Sequence, residues 1–330
     1  MYSIIQTKDI KFLNVFKEEQ IYHDFNFSAI DQNQVDLHLV VLDNKLPIAR
    51  ASIWWNDTPT IEEKHVGAIG HFAAANKPSA IFLLDKVCEI FKDHNVTTMI
   101  GPMNGNTWRT YRFITQSDEL PIFFLEPENP DEYPDYFLKA GFVPIEEYES
   151  EIDYDLTFQD KRLISIAERV KEEKITIRKL NKDEFEQELN KIYEISVSSF
   201  KDNILYTPMN KQEFVQQYLP LKELIIPEFV LIAEDVNKNP IGFMFGLPDI
   251  NQQKRGQKID TVIFKTLAVL PEKRSIGLGT LLLNKVREAA CQMNYNKAIC
   301  ALMHKANNSR NIAAHYAKTF RTYTLYKKEI

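Results

Sequence analysis

Residues 265–280 read Lys-Thr-Leu-Ala-Val-Leu-Pro-Glu-Lys-Arg-Ser-Ile-Gly-Leu-Gly-Thr, and they constrain the fold more than any other stretch. An apolar run, Leu267 to Leu270, stops at Pro271. A charged turn follows, and Arg274-x-x-Gly277-x-Gly279 then opens a long amphipathic pattern. Strand, glycine loop and helix start together make a phosphate cradle. The first amides of a helix have no intrahelical partner, and the helix dipole adds partial positive charge there. Glycines let the backbone come close to the anion. Glycine is scarce in this chain, 10 in 330 residues, against a usual share of about 7%. Two at this spacing, between strand and helix, are therefore a specific signal. No Lys-Ser/Thr follows Gly279, which excludes a nucleotide P-loop. A third glycine and a ribose-binding acid are also missing, which excludes a dinucleotide fingerprint.

A length of 330 residues predicts two domains. Hydrophobic content of 44% and charged content of 26% describe an ordinary globular chain with ample core. A net charge of −6 argues against a nucleic-acid partner, which favours a basic face. No apolar run approaches membrane-spanning length, and the first residues lack the apolar region of a secretory signal. The expectation is a cytoplasmic protein without a membrane or nucleic-acid partner. Cys88, Cys291 and Cys300 sit in apolar segments and read as core thiols of a reducing compartment. The seven histidines are scattered, so no metal site is expected.

From Lys174 onward the order of elements is legible. Ile175–Leu180 alternates as a strand, and Asn181 or Asp183 caps a helix with Phe185, Leu189, Ile192 and Tyr193 on one face. Tyr206 to Leu219 is a second helical region, with Pro208 near its start. Phe229–Ala233 and Ile241–Phe245 form a hairpin around Asp235–Pro240. Strand 261–270 leads into the loop. Helix 278–294 presents Leu278, Leu281, Leu282, Val286, Ala289, Ala290 and Met293 on one face. A strand at 297–303, a short helix at 308–318 and a strand at 321–328 complete the half. Pattern alone gives an α/β sandwich with a mixed sheet.

The stretch Val269-Leu-Pro271-Glu-Lys-Arg274-Ser-Ile-Gly277-Leu-Gly279 resembles the acyl-CoA loop of the GNAT acetyltransferases, whose pattern is Val-x-Pro, then Arg or Gln, then x-x-Gly-x-Gly or Ala. The element order from Lys174 is the one that this resemblance implies. The N-terminal half repeats it more weakly. Leu37–Leu42 and Pro47–Trp55 form a hairpin, Val66–Phe72 corresponds to the loop-bearing strand, helix 78–94 follows, and Val96–Pro102 is the next strand. Phe137-Leu-Lys-Ala-Gly141-Phe142 is similar to a common GNAT ending. The expected fold class is therefore α/β, with two tandem GNAT-like units, each a mixed, mostly antiparallel sheet flanked by helices. The expected boundaries are 1–155 for a degenerate unit, 156–173 for a helical linker carrying Leu163, Ile166 and Val170, and 174–330 for the acyl-CoA-binding unit. Similar tandem proteins of bacteria carry Gly-Pro-Met-Asn, here at 101–104. After Phe72 the first copy reads Ala-Ala-Ala-Asn-Lys-Pro-Ser, without arginine or a glycine pair, so cofactor binding is assigned to the second unit alone.

The resemblance implies acetyl-CoA as co-substrate and a primary amine, of a small molecule or a peptide, as acceptor. Acyl transfer requires a placed thioester, a neutral amine, a polarised carbonyl and a proton for the thiolate. Backbone from Arg274 through Ser275, Ile276, Gly277, Leu278, Gly279 and Thr280 would hold the pyrophosphate. Edge amides of Leu267, Ala268 and Val269 would hold the pantetheine and polarise the carbonyl. By resemblance the helix after the next strand supplies an asparagine, Asn307 or the better spaced Asn308, and a tyrosine acid, Tyr316. An ungapped alignment places His315 there instead, because Tyr316-Ala-Lys-Thr-Phe320 is one residue short and lacks the glycine. The family's strand glutamate is absent from Phe264-Lys265-Thr266. His304, just past strand 297–303, is the base candidate, with a water relay as the alternative. Arg109 and Arg112, among aromatics and amides, fit recognition of an anionic or planar acceptor; in the other reading, which is favoured, Trp108 and Tyr111 pack between the units and the arginines are solvated. Two other functions remain open: a non-catalytic acyl-CoA-binding sensor or scaffold, and a Fem-type aminoacyl transferase. The intact loop and the lack of basic excess oppose the second.

Overall fold

Tight turns and alternating apolar residues set the strand ladders. Strands β2 (Leu37–Asp43) and β3 (Leu46–Trp54) meet at Asn44–Lys45. Both turn residues have positive φ, 48° and 73°, the backbone that a two-residue hairpin needs to match strand twist. In the second half β11 (Val230–Glu234) and β12 (Pro240–Pro248) turn around Asp235. Its carboxylate accepts the N–H groups of Asn237 and Asn239, both at 2.8 Å. The computed structural model describes residues 2–27, 34–61, 64–158, 160–306 and 317–330.

The other strands are β1 (Tyr2–Thr7), the small hairpin β4–β5 (Thr60–Ile61 and Lys64–His65), β6 (Gly67–Ala74), β7 (Thr98–Gly101), β8 (Phe113–Ser117) and β9 (Val143–Asp153). The second half adds β10 (Thr176–Lys179), β13 (Thr261–Val269), β14 (Lys297–His304) and β15 (Ala317–Glu329). Helices α1 (Ile10–Leu13), α2 (Lys77–Asp93), α3 (Tyr133–Lys139) and α4 (Leu163–Glu172) precede α5 (Phe185–Phe200), α6 (Lys211–Tyr218), α7 (Ile250–Lys254) and α8 (Leu278–Gln292). No described helix is long and apolar enough to cross a membrane.

The expected mixed, mostly antiparallel α/β architecture is present, and its two sheets are joined into one. Thirteen described strands form a continuous sheet in the order β1-β2-β3-β6-β7-β15-β9-β14-β13-β12-β11-β10, with β8 also on β15. The described parallel pairs are β6–β7 and β13–β14. Each lies across a helical connection, α2 or α8, as parallel pairing requires. The last strand of each half lies in the ladder of the other. β9 pairs with β14, and β15 pairs with β7. β9 and β15 also pair with each other, from Val143↔Lys327 to Asp153↔Ala317.

Buried ion pairs hold this crossing. Asp153 on β9 accepts from Arg287 of α8, at 2.9 Å from Nε and 2.8 Å from Nη2. Arg321 on β15 reaches Glu126 of the first half at 2.6 Å. Both pairs are nearly inaccessible, so each charge depends on its partner for solvation.

Helix α2 buries Leu83, Leu84, Val87 and Phe91 against the first half of the sheet. Helix α8 buries Leu278, Leu282, Val286 and Ala290 against the second. Helix α5 covers the other face, with Phe185, Leu189, Ile192 and Ile195 against Phe243 and Phe245. Three local expectations differ from the structure. Ala317 and Lys318, expected at the end of helix 308–318, already belong to β15. Met293 is 41% exposed, because α8 ends at Gln292. The second helical region begins later than Pro208, at Lys211, where the Asn210 side chain accepts the Glu213 N–H at 2.8 Å.

Candidate functional site

The site is built where β13 leaves its neighbours. Its parallel pairing with β14 ends at Phe264↔Cys300. On the other side, Phe245↔Thr266 and Gly246↔Phe264 leave Lys265 as an extra residue in the ladder with β12. A bulge of this kind bends the strand and re-aims a side chain. β14 is irregular at the same level. Its pairing with β9 jumps from Cys300↔Glu151 to Met303↔Glu149, and Leu302 has φ 59°. The Leu302 N–H donates to Ser150 Oγ at 3.0 Å. Beyond these irregularities the two strands border a cavity of about 960 Å³.

One end of this cavity is the glycine loop. Pro271–Ile276 forms a 3₁₀ turn, and Gly277 starts α8 with φ 87° and ψ 17°. An L-residue is strained there, and a Cβ on Gly277 would lie 3.0 Å from Ile166 Cγ1. Helix α4 thus backs the loop, and Lys273 adds an ion pair to Glu173 at 2.9 Å. No described side chain caps α8. Leu281 N–H donates to Gly277 C=O at 3.1 Å, and the amides of Leu278, Gly279 and Thr280 precede that bond. This is a helix N-terminus open to an anion.

Leu267, Ala268, Val269, Gly277, Gly279 and Thr280 all border the cavity. Ile276 packs on the core and Leu278 is fully inaccessible, so these two offer backbone only. Arg274 and Ser275 lie in the 3₁₀ turn, and their side chains fall outside the described set. Asn308 and Tyr316, with the alternatives Asn307 and His315, lie outside the described residues.

His304 also borders the cavity. Its Nδ1 accepts the Ala306 N–H at 3.2 Å, and its Nε2 lies 2.5 Å from Glu146 Oε2. Since Nδ1 accepts, Nε2 carries the proton and donates to the carboxylate. Glu146 sits on β9, two residues from Tyr148, whose register partner is His304. The strand contributed by the first half therefore brings a carboxylate into a site whose own strand has none.

A second cavity, of about 1730 Å³, lies between the halves and meets the first at Tyr111, Arg112, Tyr218, Lys265 and Leu302. Trp108 and Arg109 hold the halves together beside it. Trp108 packs on Phe200, Tyr206 and Phe214 and donates Nε1–H to Thr207 O at 2.7 Å. Arg109 pairs with Glu213 at 2.6 Å. Trp108 follows the packing expectation, whereas Arg109, 13% exposed and ion-paired, is not the solvated arginine expected.

The sequence and structure have counterparts among known proteins. No family profile matches the chain. Protein YghO of Escherichia coli (strain K12) is 26% identical over 198 residues, 57% of this chain and 48% of that protein. The chain therefore spans about half the length of the curated relative it matches. A tandem GNAT protein from the clavulanic acid biosynthesis pathway superposes over 100% of this chain and 98% of its own, with TM-score 0.56 and 8% identity. A GCN5-related glucosamine N-acetyltransferase region of a fungal multi-domain β-N-acetylglucosaminidase covers 99% of this chain and 38% of its own, with TM-score 0.57 and 14% identity.

This chain has the tandem GNAT fold.

Within the tandem GNAT fold, sequence reasoning found the loop and missed two residues of the cavity lining. Glu146 is remote from the loop in sequence and reaches the site only through strand exchange. Lys265 enters through a bulge that no composition signal marks. Arg112, which the sequence offers as an anion-recognition residue or a solvated one, is buried and lines both cavities, with its guanidinium over the rings of Tyr111 and Tyr148.

Proposed function

We propose that the chain is an acyl-CoA-dependent N-acyltransferase whose site lies in the C-terminal half, in the GNAT-like unit expected at 174–330. The observation that carries this reading is the uncapped, glycine-started α8 at one end of a cavity that continues to the splayed strands. Acetyl-CoA fits that shape and supplies the acyl group as a thioester. The loop backbone from Arg274 to Thr280 would face its pyrophosphate. The edge of β13 at Leu267–Val269 would face the pantetheine, where unpaired amides can polarise a carbonyl. In the assigned site Asn308 is the further cofactor contact and Tyr316 the acid.

His304 would accept the amine proton at Nδ1 while Glu146 holds the ring and balances the imidazolium charge. This role requires the Ala306 N–H to give up Nδ1. That 3.2 Å bond is also the observation that favours a binding-only protein, since both ring nitrogens already have partners. The acceptor is a primary amine that enters from the cavity between the halves.

Thermal unfolding with and without acetyl-CoA tests the reading, because a ligand that binds only the folded state raises Tm. A rise in the wild type that is absent in Gly277→Glu supports it. No rise in the wild type at millimolar acetyl-CoA rejects it. Thiol release with a panel of amines then separates transferase from sensor.

A further inference from the structure

Two positive side chains stand without an acid partner where the cavities meet. Arg112 is 7% exposed. Its guanidinium lies 4.0 Å from the ring centroids of Tyr111 and of Tyr148. Nη1 donates to Leu302 O at 3.2 Å, and Nε has no hydrogen-bond partner. Lys265, the bulge residue of β13, lines both cavities beside it. Neither has a carboxylate partner among the described residues. Glu146, which also borders the smaller cavity, is already bonded to His304.

This is a costly arrangement. Burial disfavours an unpaired charge, and two like charges side by side disfavour each other. Removal from water, and then the Arg112 charge, lower the Lys265 pKa to about 8. Two tyrosine faces offset part of the Arg112 cost, but they supply no counter-charge. A proximate anion would satisfy both groups. The pyrophosphate of a cofactor at the loop cannot be that anion. Lys265 precedes Val269 by four residues, about 13 Å along a strand at 3.3 Å per residue.

We infer that Lys265 and Arg112 form a carboxylate-binding subsite, and that the acceptor is an amine that also carries a carboxylate, as an amino acid does. This inference rests on the transferase reading above. The subsite borders the part of β13 where the thioester would lie. A carboxylate held there by a cation pair leaves its amino group facing the smaller cavity, toward Leu267 and His304. Charge-assisted bonds to a guanidinium and an ammonium are stronger than neutral ones and fix orientation.

Calorimetric titration of the full chain, in the presence of CoA, provides the test. The probes are the N-acetyl derivatives of the common amino acids, each paired with its primary amide. In the wild type at least one acid binds about tenfold or more tightly than its amide, as loss of a charge-assisted contact predicts. Lys265→Met removes that preference, and Lys265→Arg retains it. Acetyl-CoA stabilisation is measured on every variant, which shows that the protein is folded and the loop intact. Equal binding of acids and amides overturns the inference. So does an acid preference that survives in Lys265→Met, or binding of no acid to a protein that acetyl-CoA stabilises. Acid preference in a protein that acetyl-CoA does not stabilise keeps the subsite and removes the transferase reading instead.

Discussion

At His71 in β6 and at Lys265 in β13 the antiparallel ladder is interrupted and the parallel partner strand drops away. In the first half the chain fills part of this gap, and the larger cavity borders the rest at His71–Ala75. His71 N–H donates to Asn104 Oδ1 at 2.8 Å, and its ring Nδ1 bonds Ser52 Oγ at 2.9 Å. Burial, with Arg50 nearby, lowers the His71 pKa to about 3. Gly70 lies so close to residues 103–104 that a Cβ there would meet Asn104 Oδ1 and Met103 O. In the second half the corresponding gap is a cavity.

The helices that follow differ in the same sense. Asn76 caps α2 and accepts the Ser79 N–H at 3.0 Å. Pro78, in the first turn, has no N–H to offer. The start of α2 therefore satisfies itself, whereas Gly277 leaves the start of α8 open. Equal topology does not give equal helix starts: the start of α2 is capped by its own chain, and that of α8 begins at a glycine.

The largest effect is expected where the halves interlock. Asp153→Ala leaves the buried Arg287 guanidinium uncompensated and should cost about 3–5 kcal/mol in denaturant unfolding. The exposed pair Lys77–Asp135 is the control within the first half. Asp135→Ala should leave unfolding nearly unchanged, and a similar loss in both variants would mean that the buried pair does not hold the crossing.

Next comes the open helix start. Gly277→Glu should eliminate the stabilisation by acetyl-CoA, about 2.7 kcal/mol at a ligand concentration a hundredfold above Kd. Retention of the Tm rise would break the contrast between α2 and α8. His304→Gln should lower turnover about a hundredfold, the lower range for a general base, with acetyl-CoA binding intact. Unchanged turnover would move the proton to a water relay. Smallest is Asn76→Ala, expected to cost about 1 kcal/mol as a lost cap and to leave the acetyl-CoA shift untouched. A changed ligand shift in that variant would mean that the first half takes part in binding.

Much of this contrast is legible in the residues themselves. The glycine pair, Pro271 and the apolar face of α8 specify a strand-loop-helix unit, because each acts over a few residues. The missing glycines after Phe72 announce the self-capped counterpart. The hairpin at Asn44–Lys45 is equally local. Glu146 gives no such signal, for it sits in a charged run, Glu146-Glu147, that reads as a solvated face. Lys265 reads as the absence of the expected acid. Its role becomes visible only once the bulge sets it beside Arg112.

The amino-acid sequence alone thus determined the strand, glycine loop and helix unit, its location in the second half and the repeated α/β order, since propensity, capping and turn chemistry are local. Tertiary structure decided that the last strands are exchanged, that Glu146 holds His304, and that Lys265 and Arg112 face one space. Those facts depend on strand partners more than 140 residues apart, Val143 with Lys327 and Tyr148 with His304. Backbone hydrogen bonds in a ladder are alike for every residue, so the choice of partner is set by the packing of the whole sheet and by buried pairs such as Arg287–Asp153.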